Sequence, residues 1–523
     1  MAEEASPARS AEQKAERRNR YAAVVAALLA MLLGALDGMI VGTAMPQVVG
    51  DLGGADRLSW VVTVYMLAIA VTTPVWGKLG DMFSRKGAFV VTVVIFVAGS
   101  VLCGAAQDMN QLIVFRLLQG IGGGGLMVSA LALVGTLIPP REQGRYQGFT
   151  SAVMGLALVS GPLVGGVITD HLGWRWCFYV NLPVGAVALL LVVGLRLPRL
   201  PRTGARVDYA GALLLAAAIS TVVLVTTWGG KEYAWTSPVL FGLMAIGAAA
   251  CAALLVVERR AAAPMLPLTL FKSANFSLIT LVGVLLGAVM TSAVTFLPIL
   301  SQSARGTSAT GSGLLLLPMF AAQVAVGLVA GRFITTTGKY KIVVLVGGAF
   351  LVLGTLLLGT AGAEAGALVQ GACMAALGVG VGLLTQTTVL VSLQSSPVED
   401  LGAASATATL ARTLGGSLGV AVSGALFARA LGGAVPAGGG GGSAAKEGAT
   451  LDPAVLDGLS STARDAVLDG TAQVFLFTAV LAVVALAAAF LLKEVPLRGA
   501  PTAGGDTPDE DGTAHASPSK EVS

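Results

Sequence analysis

Three ionisable side chains stand inside long apolar runs of this 523-residue sequence: Asp37, Arg116 and Arg412. If those runs cross a membrane, each charge costs about 3 kcal/mol to insert. A residue kept at that cost is a candidate for function. Asp37 is the sole acid in any such run, and Arg116 and Arg412 are the sole bases away from the run ends. With the N-terminus on the inner side, Asp37 lies about six residues from the outer end of its run. Arg116 lies about four residues from the outer start of its own. At 1.5 Å per residue these depths are roughly 9 and 6 Å, so the two are expected to meet across a bundle. Burial favours a neutral carboxyl, and a neighbouring guanidinium favours the ionised one. That opposition suits a proton carrier; it also suits a fixed structural ion pair, with Arg116 either tuning Asp37 or holding helices together. Arg412 lies about nine residues, roughly 14 Å, from the inner start of its run. It sits in LARTLGGSLGV, where small residues suggest a close helix crossing and carbonyls for it to bond.

A second constellation is GKLGDMFSRK from Gly77 to Lys86. Gly77 and Gly80 permit a tight turn, and Asp81 can sit at a positive helix N-terminus. Arg85 and Lys86 are expected to find acidic partners in Glu399 and Asp400, forming a latch between two halves at the inner face. A third is Ala157-x-x-x-Gly161-Pro162-x-x-Gly165-Gly166. Small residues at this spacing make a flat face for close helix approach, and Pro162 bends the helix. The face serves ordinary packing or seals one side of a transport path. The GxGxxG match at Gly120–Gly125 lies inside an apolar run and not after a strand, so it is no nucleotide site. No GxxxxGK[ST], Ser/His/Asp or paired-carboxylate set stands out. Two histidines leave little room for His-based metal chemistry, and Cys103, Cys177, Cys251 and Cys373 read as small apolar residues.

The elements that must position these residues are membrane spans. Hydrophobic residues make up 55% of the chain and charged residues 11%, against about 25% charged in a soluble protein. A net charge of +4 argues against nucleic acid as a partner. Fourteen runs are long enough to span: 21–43, 58–77, 87–106, 112–135, 145–168, 174–195, 209–228, 236–257, 275–298, 311–331, 341–361, 367–391, 403–429 and 471–492. With the N-terminus inside, 23 of the 32 basic residues fall in inner segments, which places both termini in the cytoplasm of a plasma-membrane protein. Only the inner loop 392–402 lacks Lys and Arg, and it carries Glu399 and Asp400.

GKLGDMFSRKG at Gly77 returns as GRFITTTGKYK at Gly331, and Leu118–Gly120 returns as Val369–Gly371. These offsets of 254 and 251 suggest a duplicated half. The expected organisation is a tail at 1–20, a six-helix bundle at 21–198, a two-helix insertion at 199–262 and a second six-helix bundle at 263–495. An outer loop at 430–470, holding a short amphipathic helix, interrupts the second bundle, and a disordered tail covers 496–523.

These residues together resemble the major facilitator superfamily, and within it the fourteen-span drug/proton antiporter branch. LDGMIVGTAMPQVVGDLGG (36–54) is similar to the branch's first-span motif, with Asp37 at the acidic position. GKLGDMFSRKG (77–87), RLLQGIGGGG (116–125), GPLVGG (161–166), WRWCFYVNLPVG (174–185) and LARTLGGSLGVA (410–421) are similar to its loop, fourth-span, antiporter, sixth-span and thirteenth-span motifs. Ser84 stands where a glycine is usual before Arg85. The resemblance implies an all-α fold of two six-helix bundles plus two inserted helices. It further implies alternating-access export of amphipathic or hydrophobic drugs in exchange for protons, by a monomer with no cofactor beyond the proton gradient. A facilitator or importer of a polar solute, and an exporter of a self-made metabolite, are the alternatives. The second-half polar groups Gln323, Gln386, Thr291 and Thr295 lie near Met290, Met319, Phe296 and Phe320, which favours adaptable apolar contacts. A membrane enzyme or sensor is disfavoured, because neither a convergent catalytic set nor a soluble signalling domain is present.

Overall fold

Every regular element of length in the computed structural model is helical. It describes residues 7–54, 57–138, 140–194, 208–229, 233–261, 264, 266–305, 315–361, 366–432 and 461–495, except some side chains within helices. The first half comprises α1 (Pro7–Leu52), α2 (Leu58–Met82), α3 (Arg85–Gly104), α4 (Met109–Leu137), α5 (Pro140–Leu172), the single turn α6 (Trp176–Tyr179) and α7 (Asn181–Val193). Then follow α8 (Tyr209–Trp228) and α9 (Pro238–Glu258), which pack on each other. The second half comprises α10 (Ala274–Arg305), α11 (Leu317–Thr337), α12 (Lys341–Ala361), α13 (Ala367–Gln394), α14 (Leu401–Gly432) and α15 (Ser461–Leu491).

Among the described residues, 13 helical segments are long and apolar enough to cross a membrane. The fourteenth expected span, 145–168, is the body of the 33-residue α5, several of whose side chains lie outside the described residues. The expected loop 430–470 is shortened at both ends by α14 and α15; its residues 433–460 and the tail 496–523 lie outside the described residues. The polar N-terminal segment is helical from Pro7 onward, as the start of α1.

Helix ends follow local chemistry. Ser84 caps α3 by accepting from Gly87 N at 3.0 Å, which gives the serine at the usual glycine position a role of its own. Asp108 caps α4 through Gln111 N at 2.9 Å, and Gly338 ends α11 with φ of 72°, a left-handed conformation that favours glycine. The glycines of α4 let it lie between two neighbours. A Cβ on Gly120 would meet Ala68 and Tyr65 of α2, and one on Gly122 would meet Phe96 of α3. Close approach of this kind is how helices associate where the solvent is lipid.

The second half repeats those contacts with its own glycines. Gly378 lies on Met319 as Gly120 lies on Tyr65, and Gly382 lies on Gln323 as Gly124 lies on Ile69. Likewise Gly354 meets Leu377 as Gly99 meets Gln119, and Gly380 meets Leu351 as Gly122 meets Phe96. The repeat is therefore structural, with offsets of 254 from α2 to α11, 255 from α3 to α12 and 258 from α4 to α13. The loop match at 254 belongs to this register. The match of Leu118–Gly120 with Val369–Gly371 does not, because helix packing and not local sequence fixes which residues correspond.

The halves touch along two helix pairs, α2 with α14 and α5 with α11. A Cβ on Gly155 of α5 would run into Val324 of α11. On the α5 face turned to α1, one on Gly161 would run into Met39. Gly165 is buried, and its carbonyl accepts from Thr169 Oγ1 at 2.6 Å. Gly166 has open space around its Cα, and the Pro162 side chain lies outside the described residues. The small-residue stretch of α5 thus serves α1 at Gly161.

Candidate functional site

Asp37 projects from the middle of α1 into the first half and is 0% exposed. Its Oδ2 accepts from Arg116 Nη1 at 2.6 Å, so the two charges placed at matching depth by the sequence are in direct contact. Its Oδ1 accepts from Gln119 Nε2 at 2.7 Å and from Asn181 Nδ2 at 3.1 Å. Both amides also donate to Ser100 Oγ, at 2.8 and 3.1 Å. Gln119 Oε1 in turn accepts from Arg116 Nη1 at 2.8 Å and from the Cys103 thiol at 3.5 Å. Below the guanidinium lies the Tyr65 ring, 3.6 Å from its centroid. Five helices meet here: α1 brings Asp37, α2 Tyr65, α3 Ser100 and Cys103, α4 Arg116 and Gln119, and α7 Asn181.

Every hydrogen-bond partner of Asp37 is a donor. The arrangement is complementary to a carboxylate. Two buried groups are left without a partner, the Tyr65 hydroxyl and Arg116 Nε. All members are at most 3% exposed. The site is therefore a closed, charge-neutral network, and a proton can reach it only when the helices around it part or water enters. Gln119, Asn181, Ser100 and Tyr65 were not singled out by residue type. Two of them lie in the motifs RLLQG and YVNLP, where a polar residue interrupts an apolar span. That interruption is the signal by which they could have been found.

Replacing Gln119 with leucine is expected to destabilise the protein by about 1–3 kcal/mol by stripping Asp37, Ser100 and Arg116 of a buried partner. The variant should still insert, since leucine already fills the equivalent position, Leu377, in the second half. The thermal unfolding midpoint of the purified variant against that of wild type tests this.

The second-half positions equivalent to the site hold Met319 for Tyr65, Thr355 for Ser100, Met374 for Arg116 and Leu377 for Gln119, all 0% exposed. Only Thr355 is polar, and its hydroxyl donates back to Leu351 O at 2.8 Å. One half carries a buried charge network, and the other carries hydrocarbon in its place.

The second constellation joins the halves at the end where α2 finishes and α14 starts, where Lys78, Arg85 and Lys86 also cluster. Asp81 crosses the seam: its Oδ1 accepts from Gly402 N at 3.0 Å and its Oδ2 from Ala403 N at 2.9 Å. It thereby caps α14 from the opposite half, with the carboxylate at the positive helix end. Arg85 holds the same carboxylate through Nη2 at 3.0 Å and donates to Thr136 Oγ1 at 2.7 Å. Lys86 donates to Val193 O at 2.8 Å. The pairing of Arg85 and Lys86 with Glu399 and Asp400 is thus replaced: the acid that crosses is Asp81, because it alone reaches the free N–H groups of α14. Lys78, not Arg85 or Lys86, is the base that acts on Asp400. Burial raises the Asp400 carboxyl above its ordinary range, Lys78 lowers it and Glu399 raises it further. Gly77 and Gly402 allow the contact, since a Cβ on Gly77 would stand 2.6 Å from Gly402 O and 2.7 Å from Ala406 Cβ.

Arg412 stands apart from both constellations. The close crossing expected around it is present: Gly415 lies on Val284, Gly419 on Ala288, and Gly287 on the Arg412 carbonyl. The guanidinium, however, makes no hydrogen bond or ion pair among the described residues.

The two-fold repeat of helix contacts and the inserted pair α8–α9 define a class of membrane transporter. A model of the Major Facilitator Superfamily matches residues 27–420, and the chain belongs to that family. It is a multi-pass membrane protein of a family of transporters, not enzymes. It is 36% identical over 405 residues to the Multidrug transporter protein MdtP of Bacillus subtilis, covering 77% of this chain and 75% of that one. It is 35% identical over 395 residues to Multidrug resistance protein 3 of the same organism, covering 76% and 77%. Its fold is similar to the crystal structure of the human organic anion transporter MFSD10 (TETRAN), with a TM-score of 0.56 and 14% identity over 89% of this chain and 99% of that one.

Proposed function

We propose that the protein is a proton-coupled multidrug efflux antiporter of the plasma membrane. It exports amphipathic or hydrophobic drugs by alternating access, with both termini in the cytoplasm and Asp37 as the proton carrier. One observation carries this reading: the sole mid-span acid is buried against Arg116, and each of its hydrogen-bond partners donates to it. Similarity to two proteins named as multidrug transporters supports the efflux direction and the breadth of substrate.

In the proposed cycle, Asp37 is held by Arg116, Gln119 and Asn181 while the site is closed. When the half opens outward, Asp37 and Arg116 separate and the carboxyl takes a proton from outside. Parting the halves at the α2–α14 seam then exposes the site inward, where the proton leaves and drug enters. No resident cofactor or metal is needed for this cycle, and the lipid bilayer and a small amphipathic substrate are its partners. A polar-solute importer fits less well, since the second half places Met319, Met374 and Leu377 where the first half has its polar site.

Everted vesicles under an imposed pH gradient, loaded with a panel of dyes and antibiotics, test the function. Acid-driven uptake of several unrelated amphipaths is expected, and absence of any gradient-driven movement would contradict it. Voltage adds a second test. One proton entering for one neutral drug moves one net charge, worth about 2.3 kcal/mol at 100 mV. That is nearly two factors of ten in the attainable drug gradient. Efflux of a neutral drug should therefore respond to membrane potential and ΔpH, and efflux of a monovalent cation to ΔpH alone. Equal voltage dependence in proteoliposomes with a valinomycin-clamped potential would contradict a single proton site.

A further inference from the structure

The α14 face that meets α2 at Gly402 and Ala406 continues at helical spacing through Thr409, Thr413 and Ser417. At its first two positions this face is sealed against Gly77. Beyond them it opens: Thr409 and Ser417 are half-buried and Thr413 is exposed. Opposite, on α10, Thr291 and Thr295 are also exposed, and Thr291 Oγ1 lies 2.6 Å from where a Cβ on Gly416 would stand. We read these mid-span hydroxyls, continuous with the seam between the halves, as the lining of a polar cleft.

Arg412 stands on α14 between Thr409 and Thr413, and its carbonyl meets Gly287 of α10, so it belongs to the α10–α14 contact that this cleft follows. It is eleven residues beyond Leu401, about 16 Å along the helix, which is near the middle of a hydrocarbon core about 30 Å thick. Reaching water through lipid from that depth is beyond the side chain, so the cleft is its polar outlet. Arg116, the other intramembrane base, has a carboxylate at 2.6 Å, an amide and an aromatic face. Arg412 has none of these. The flanking hydroxyls cannot serve as its counter-charge, and three of them, on Thr409, Thr413 and Ser417, are already bonded to carbonyls of their own helix at 2.9, 3.0 and 3.2 Å. A guanidinium offers five donors in a planar fork suited to a carboxylate. Among the described residues no acid pairs with it.

We propose that Arg412 is a substrate-recognition residue: the transported amphipath carries a carboxylate on an apolar body, and that carboxylate completes the ion pair in the α10–α14 cleft. The inference rests on the efflux reading above and names the substrate class of that same path. It runs against the cationic drugs that the resemblance alone suggests, because a fixed, uncompensated positive charge in the path repels them.

The test uses the full chain in phosphatidylcholine nanodiscs without chloride, and three probes with one apolar body: an aryl-alkyl carboxylate, its methyl ester and the matching primary ammonium. Equilibrium binding is measured for wild type, Arg412→Lys and Arg412→Met. Wild type is expected to bind the carboxylate about tenfold or more tightly than the ester, as one charge-assisted pair allows. Arg412→Met should reduce carboxylate binding to the level of the ester and leave the ester unchanged, and Arg412→Lys should fall between. Three results would overturn the proposal: equal or better binding of the ammonium by wild type, equal loss of all three probes in Arg412→Met, or a carboxylate preference unaffected by that change. A guanidinium effect that appears only when phosphatidylglycerol is added would assign the anion to a lipid headgroup phosphate instead, and would likewise overturn it. Binding needs no proton gradient, so failure here is separable from failure of proton coupling, which is read from Asp37 variants.

Discussion

Asp37→Asn is expected to abolish uphill, gradient-driven efflux while leaving downhill exchange of substrate across the membrane. Asparagine keeps one acceptor and the shape of the side chain but cannot take and release a proton. No other acid lies in the middle of a span to replace it; Asp81, Glu258, Asp465 and Asp469 stand at helix ends. The variant also leaves the Arg116 guanidinium buried without a counter-charge, and breaking one side of a buried pair costs about 3–5 kcal/mol. Some loss of stable protein is therefore expected in the single variant. The double variant Asp37→Asn with Arg116→Met removes both charges, and methionine already occupies the equivalent position, Met374. It should insert at wild-type levels and still fail to concentrate substrate. Uphill transport by the double variant would contradict the assignment, because neither misfolding nor a stranded charge could then be blamed.

The second large effect is expected at the seam. Removing the Asp81 carboxylate leaves Gly402 N and Ala403 N uncapped, about 1 kcal/mol or more for the lost cap. It also removes the Arg85–Asp81 ion pair. Asp81→Ala should therefore open the α2–α14 end, and Gly402→Val should open it further, since any Cβ there would run into the Asp81 carboxylate and Gly77 O. Spin labels on Phe83→Cys and Glu399→Cys, in a chain cleared of its four cysteines, report the separation. Distances should lengthen in both variants, with transport reduced at least tenfold. Unchanged distances with normal transport would show that this contact does not hold the end closed. Reversing Arg85 and Lys86 together with Glu399 and Asp400 is not expected to rescue anything, because Arg85 serves Asp81 and Thr136 and Lys86 serves Val193 O.

The contrast between these two constellations shows what the sequence made legible. Span number and the meeting of Asp37 with Arg116 follow from one-dimensional quantities: apolar run length, and depth counted at a constant rise per residue. The partners of Arg85 and Lys86 do not, because they depend on which groups the fold leaves unsatisfied. Free N–H groups at the start of α14 fix the Asp81 carboxylate at the seam, where it and not Glu399 or Asp400 takes Arg85, and backbone donors carry no signature in residue type. The register of the repeat was obscured in the same way. Leu118–Gly120 and Val369–Gly371 match in letters, but helix contact sets Gln119 against Gly99 and Leu377 against Gly354. Gln119, Asn181, Ser100 and Tyr65 are uncharged, so a search for intramembrane charge passes over them, although they complete the network that holds Asp37.

The most direct test of the central claim is to watch the proton. Purified protein is reconstituted with a pH-sensitive dye trapped inside the vesicles and no pH gradient imposed. A saturating transported substrate is then added outside. Wild type is expected to drive protons against the substrate's movement, giving an internal pH change whose initial rate tracks substrate flux. The double variant Asp37→Asn with Arg116→Met should exchange substrate with no pH change. A substrate-dependent pH change of wild-type size in that variant would show that the proton travels by another route, and would contradict Asp37 as its carrier.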